Sequence, residues 1–281
     1  MEIKLSELSE VKGIGKKTIQ RIREYKLADE GYISEYDESL HLDRNSVNQG
    51  DCLELMNGIP DKSVDMILAD LPYGTTACSW DSIIPLDKLW LQYERIIKND
   101  GAIVLTASQP FTTELIDSNR ELFKYCWVWD KVKPASGLHA NYMPLKNHED
   151  ICVFSKTKTK YNPQKYEGKK WHRGGIKKQA GYTGDNKKLE ANQSDKNSMK
   201  FPKTIIQFSN ADTTNITHPT QKPVALFEYL IKTYTKEGDL VLDNVAGSGT
   251  TGVACQNTNR DYILIEKEEK YIDIIKERLG G

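Results

Sequence analysis

From Ser46 onward the chain alternates short apolar runs with amphipathic stretches, and this alternation is the feature that most limits the folds open to it. The runs Val64–Ala69, Ala102–Thr106, Tyr125–Trp129, Asp150–Phe154, Leu240–Leu242 and Tyr262–Ile265 read as strands. The intervening periodicity predicts helices at about 52–58, 86–98, 111–119, 223–235, 249–257 and 268–279. Strands separated by helices pair in parallel, so the expected fold class is α/β. With 281 residues there is room for one such domain and one or two small attachments.

Two stretches break the alternation. Residues 1–27 read as two short helices around a Gly-rich turn, and the polar, acidic stretch 28–45 reads as a linker. Between Ser155 and Thr217 the pattern stops again. The whole chain has a net charge of −1, but segment 156–203 holds fourteen Lys and Arg against four acids, 14 − 4 = +10. Lys169, Lys170, Arg173, Lys177 and Lys178 lie at its centre, with Trp171 and Tyr182 among them. A solvated insertion is the plain reading; a phosphate-contacting surface with stacking side chains is the sharper one. The five cysteines form no C-x-x-C pair, which argues against a zinc cluster or disulfide framework and fits a reducing cytosol. No apolar stretch approaches the roughly 18 residues of a membrane span, so the expected location is cytoplasmic.

The segment from Gly238 to Cys255 places a buried strand, a Gly-x-Gly loop and a helix in succession. Gly247 and Gly249 allow close backbone approach, and the following helix presents free N–H groups. Asp243, Val245, Ser248 and Thr250 flank them, and the next strand ends at Glu266, placed to accept hydrogen bonds from ribose hydroxyls. A dinucleotide site or a tight turn would look similar. The loop lacks the third glycine of the dinucleotide fingerprint and the lysine of a phosphate-binding loop, so adenosine recognition without a pyrophosphate fits better.

The strand Val64–Ala69 runs into Asp70-Leu71-Pro72-Tyr73-Gly74. A carboxylate, a proline carbonyl and an aromatic face thus meet at the carboxyl end of a strand, where α/β sheets bind ligands. A base amine needs two acceptors and a stacking surface, which these residues supply. Asp, Pro and Gly are also turn residues, and for an isolated tetrapeptide a turn is the plainer reading.

In company with the Gly-x-Gly loop, however, this tetrapeptide resembles the amine-binding motif of the DNA amino-methyltransferases, D/N/S-P-P-Y/F, whose cofactor motif is F-x-G-x-G. The order here is amine motif, variable region, His218-Pro219-Thr220-Gln221-Lys222-Pro223, then cofactor loop, as in the permuted β group; the match spans roughly 46–280. Leu71 replaces the first proline and Val245 the usual phenylalanine. The resemblance implies a Rossmann-like S-adenosylmethionine-dependent methyltransferase fold with a mixed, mostly parallel sheet, a small helical N-terminal attachment and a basic target-recognition insertion at about 156–217. It implies methyl transfer from S-adenosyl-L-methionine, without a metal, to the N6 amine of a flipped adenine in double-stranded DNA. Asp70, Pro72 and Tyr73 would be catalytic, and Lys222, Asp243, Val245, Gly247, Ser248, Gly249, Thr250 and Glu266 would bind the cofactor. Permutation places a further strand before Val64, within S-V-N-Q-G-D-C, making Asp51 the candidate for the cofactor's adenine amine; it is equally a helix N-cap. His148 and Glu149 either support the base-pocket loop or cap the strand that follows them.

Lys12, Gly13, Gly15 and Lys16 resemble the phosphate-holding turn of a helix-hairpin-helix module, although an ordinary helical hairpin would look alike. Rival readings are cytosine-N4 methylation, RNA or protein-glutamine methylation, and a non-catalytic DNA-binding regulator retaining a methyltransferase core. Asp70 favours adenine over cytosine, since cytosine-N4 enzymes more often begin the motif with serine. A homodimer and a cognate restriction endonuclease remain open as partners.

Overall fold

The computed structural model describes residues 35–74, 83–134, 140–168, 199–210 and 221–280. The expected hairpin (1–27), most of the basic segment and His218–Thr220 therefore lie outside the described residues. Chain contacts divide the described residues into a main unit and a small one within 163–203.

The main unit is built on an eight-stranded sheet. Its strands are β1 (Ser46–Gln49), β2 (Val64–Ala69), β3 (Ile97–Ala107), β4 (Phe123–Asp130), β5 (His148–Phe154), β8 (Ile205–Gln207), β9 (Leu240–Asp243) and β10 (Asp261–Glu266). They lie in the order β1-β10-β9-β2-β3-β5-β4-β8. All neighbours pair in parallel except β5, which runs antiparallel to both β3 and β4. The helices are α1 (Cys52–Leu55), α2 (Leu86–Ile96), α3 (Phe111–Ser118), α4 (Val224–Tyr234), α5 (Thr250–Asn257) and α6 (Glu269–Leu279).

The period-2 alternation of each strand divides the core into two layers. Ile103, Leu105, Cys152, Phe154, Leu242 and Ile265 meet Trp90 and Tyr93 of α2 and Phe111 and Leu115 of α3 on one face. Ala102, Val104, Val153, Val241 and Leu264 meet Leu226, Phe227, Leu230 and Tyr234 of α4, Cys255 of α5 and Ile275 of α6 on the other. Each large apolar side chain so buried contributes about 1.5–3 kcal/mol. Trp90 also donates from Nε1 to Ser118 Oγ at 2.7 Å, tying α2 to α3.

Three sequence expectations change in detail. α2 stops at Ile96, and β3 begins at Ile97, because Ile97 pairs with Val64 and Lys98 reaches Asp65 at 2.7 Å. Ile205–Gln207, inside the stretch read as an insertion, pairs with β4 and extends the sheet. Residues 35–45, read as linker, are pinned to the main unit: Asp37 N donates to Asn57 O at 2.8 Å, Leu42 N to Gly58 O at 3.1 Å, and Leu42 is buried. A Cβ on Gly58 would stand 2.0 Å from Leu40 O, so this approach needs a glycine.

In the small unit, β6 (Tyr166–Glu167) and β7 (Met199–Lys200) form an antiparallel pair, and Lys165 Nζ lies 4.6 Å from the Phe201 ring centroid. No described helix is long and apolar enough to cross a membrane.

Candidate active site

β2 and β9 are adjacent parallel strands, with Met66 opposite Val241 and Ile67 opposite Leu242. The two motifs that follow them, some 170 residues apart in the chain, consequently emerge side by side at the carboxyl edge of the sheet. β1 pairs in parallel with β10, Gln49 opposite Glu266, so a strand preceding Val64 completes that edge and sets Asp51 beyond its end.

At the end of β2 the Asp70 carboxylate is held from two sides. Its Oδ1 accepts from the Tyr73 hydroxyl at 2.7 Å and from Thr106 at the end of β3, and its Oδ2 accepts from Lys222 Nζ at 2.6 Å. Tyr73 stacks on Phe111, with ring centroids 5.3 Å apart and planes 24° apart. Burial, with the charges of Asp70 and Glu149, raises the Tyr73 phenol well above its ordinary range, so the hydroxyl remains a donor. Lys222 also lies 3.4 Å from Glu149 Oε2, and Lys131 Nζ holds Glu149 Oε1. Burial opposes the Lys222 charge, but Asp70 and Glu149 overcome it and raise the lysine above its ordinary value.

At the end of β9 Asp243 is buried and accepts from Thr251 Oγ1 and, at 3.1 Å, from Val245 N. Desolvation outweighs those bonds, and its pKa is pushed up to about 7. Gly247 and Gly249 both take left-handed φ, 53° and 78°. A Cβ on Gly249 would stand 3.0 Å from Ile275 of α6, so packing as well as conformation requires glycine there. Gly247 N donates to Glu266 Oε2 at 2.7 Å and Glu268 N to Oε1 at 2.8 Å, while burial raises the Glu266 carboxyl. Ser248 Oγ meets Gln221 at 3.3 Å, Thr250 Oγ1 meets the Lys222 carbonyl at 3.4 Å, and Arg278 Nη1 donates to Ser248 Oγ at 2.9 Å. Asp51 caps α1, accepting from Leu53 N at 2.9 Å, and lies 3.5 Å from Lys267 Nζ.

The sequence places Lys222 among the cofactor-binding residues, but its ammonium reaches the amine motif; only its backbone touches the cofactor loop. Sequence reasoning misses Thr106, Phe111, Lys131 and Arg278. Thr106 carries a signal, being the polar residue that ends the apolar run Ala102–Thr106. Lys156 and Lys160, counted with the basic segment, turn inward: Lys156 caps the Glu94 and Ile97 carbonyls, and Lys160 pairs with Asp65 at 2.7 Å and Asp239 at 3.1 Å. Lys12, Gly13, Gly15, Lys16, Lys169, Lys170, Arg173, Lys177 and Lys178 lie outside the described residues.

A doubly wound sheet whose switch point joins a glycine-rich loop to an Asp-x-Pro-Tyr strand end defines a Rossmann-like methyltransferase. The model of the N6/N4 DNA methylase family matches residues 64–277, and the chain belongs to that family. It is 27% identical over 252 residues to the Type II methyltransferase M.HpaI of Haemophilus parainfluenzae, covering 82% of this chain and 72% of the relative. It is 27% identical over 263 residues to M2.MboI of Moraxella bovis, covering 84% and 88%. Among solved structures, the M1.HpyAVI–SAM complex superposes with a TM-score of 0.59 at 24% identity, covering 84% of this chain and 99% of that one. The cytosine-N4-specific PvuII DNA methyltransferase superposes with a TM-score of 0.60 at 18% identity, covering 86% and 88%.

With the family comes the cofactor, S-adenosyl-L-methionine. The residues present suit it. Two buried carboxylates, Asp243 and Glu266, stand at the ends of adjacent strands, and each carboxylate oxygen has a second lone pair to accept with. Asn244 Nδ2 is buried and without a hydrogen-bond partner among the described residues, while its Oδ1 accepts from Tyr93 at 2.5 Å.

Proposed function

We propose that this DNA methyltransferase modifies the N6 amine of adenine at a specific sequence in double-stranded DNA. The observation that carries the reading is Asp70. A carboxylate, rather than the serine more usual for cytosine-N4 enzymes, opens the amine motif, and Thr106, Tyr73 and Lys222 fix both of its oxygens.

The adenine amine is a poor nucleophile because its lone pair is delocalised into the ring. Acceptance of its two N–H bonds by Asp70 and the Pro72 carbonyl favours a more pyramidal, localised nitrogen. Tyr73, stiffened by Phe111, stacks on the base, an interaction worth about 1–3 kcal/mol in other base–aromatic pairs. An amine inside a duplex cannot reach this strand end, so the base is extruded first. S-adenosyl-L-methionine supplies an electrophilic methyl group on a sulfonium. Asp243, Asn244, Glu266 and the Gly247–Thr250 turn would hold it, with Asp51 at its adenine end and Val245 packing beside it. The two motifs' shared sheet edge then supplies the positioning on which in-line displacement depends. The basic segment would contact phosphates and read the target, and the N-terminal hairpin would hold DNA backbone without reading sequence.

The test is methylation of mixed-sequence DNA with labelled cofactor, followed by nucleoside analysis and methylation-aware sequencing. The expected product is 6-methyladenine within one recurring motif; 4-methylcytosine would overturn the base assignment.

A further inference from the structure

Glu149 sits behind the Asp70–Lys222 pair and has no role in the reaction as described so far. Its side chain is 10% exposed, its Oε1 is held by Lys131, and its Oε2 is buried without a hydrogen-bond partner among the described residues. A buried carboxylate oxygen met by a long ion pair and by no hydrogen bond among the described residues is incompletely satisfied, which is costly and calls for an explanation. Lys222 Nζ stands 3.4 Å from that oxygen and 2.6 Å from Asp70 Oδ2. Closing on Glu149 needs a movement of less than about 1 Å to reach the usual charge-assisted distance, which a four-carbon stem with three rotatable donors allows. Thr250 holds the Lys222 carbonyl, so this movement need not disturb the cofactor loop.

We propose that Lys222 is a positioning residue that occupies Asp70 until the target amine arrives and then passes to Glu149. With Lys222 in place, Asp70 takes three donors, and an ammonium competes with the incoming N–H for Oδ2. After the exchange the amine takes that place, Glu149 Oε2 is satisfied, and the pairs Lys131–Glu149–Lys222 remain linked. The exchange also removes a neighbouring cation from Asp70 as positive charge develops on the amine nitrogen. Glu149 thereby acts on the chemistry only through Lys222. This inference rests on the reading of Asp70 as acceptor for a target amine and holds for either base.

The test is a double-mutant cycle on the full chain with duplex DNA carrying the target motif found for the wild type. Glu149→Gln keeps the shape but removes the charge that draws Lys222 away, so the single-turnover methylation rate falls roughly tenfold or more while cofactor affinity and melting temperature stay as in the wild type. In a Lys222→Met background no ammonium is left to be drawn away, so adding Glu149→Gln lowers the rate no further. Additive losses, or a loss in Glu149→Gln matched by weaker cofactor binding, would overturn the exchange. Should Glu149→Gln fold poorly, Glu149→Asp, which keeps the charge but withdraws the acceptor by one methylene, is read against the same expectations. A wild type that methylates cytosine N4 leaves the cycle valid; a wild type that methylates no base amine removes its foundation.

Discussion

Asp70 and Asp243 end neighbouring strands, but their surroundings suit them to different work. Asp70 is met by a lysine and two hydroxyls, whereas Asp243, desolvated by burial, is met among the described residues by one hydroxyl and one backbone N–H. Its folded pKa of about 7, against an ordinary 3.8, means that the native chain holds a proton the unfolded chain has lost between those values. Stability therefore falls as pH rises from about 4 to about 7, and Glu266, also raised by burial, acts in the same direction. A cationic cofactor binds the ionised carboxylate better, so its affinity should increase with pH up to about 7 and then level. Calorimetry across pH on wild type and Asp243→Asn checks this; an equal pH dependence in the variant would assign the titration elsewhere.

At the scale of elements, the turn from β9 into α5 depends on close packing. Gly249→Ala forces a methyl against Ile275 at a positive φ, and the cost should exceed about 1 kcal/mol, measurable as a lowered melting temperature; an unchanged melt would mean that α6 yields. Glu266→Ala should weaken cofactor binding by about 1–3 kcal/mol, and an unchanged dissociation constant would place the ribose at another strand end. β2, β9 and β10 are legible in the sequence because each is a mainly apolar run: Val64–Ala69 is found with the expected bounds. Ile205–Gln207 is hidden because a three-residue edge strand in lysine-rich surroundings shows no period of its own. The partners of Asp70 are hidden for another reason. Thr106 and Lys222 lie 36 and 152 residues away in the chain; the pairing of β2 with β3 brings the first, and the hold of Thr250, beyond β9, on the Lys222 carbonyl places the second. Cys126 and Cys152, distant in sequence, likewise prove to be cross-strand neighbours with sulfurs 3.6 Å apart.

For the whole molecule, a net charge of −1 conceals the +10 of segment 156–203, for which we propose contact with phosphates. Replacing Lys169, Lys170, Arg173, Lys177 and Lys178 should weaken DNA binding and flatten its salt dependence, the slope shrinking by about 0.9 for each phosphate no longer neutralised. Deleting residues 1–27 should lower affinity about equally on all sequences while the methylated motif stays the same. A changed motif after truncation would mean that residues 1–27 read bases. The central claim is that Asp70 accepts a hydrogen bond from the adenine amine while the cofactor is held by the neighbouring loop. It is tested most directly by giving wild type and Asp70→Ala a cofactor with a deuterated methyl group and analysing the nucleosides of the treated DNA by mass spectrometry, with cofactor binding measured alongside. The account predicts deuterated 6-methyladenine from the wild type and none from Asp70→Ala, although that variant still binds cofactor. Deuterium on cytosine, or 6-methyladenine formed by Asp70→Ala at the wild-type rate, would contradict it.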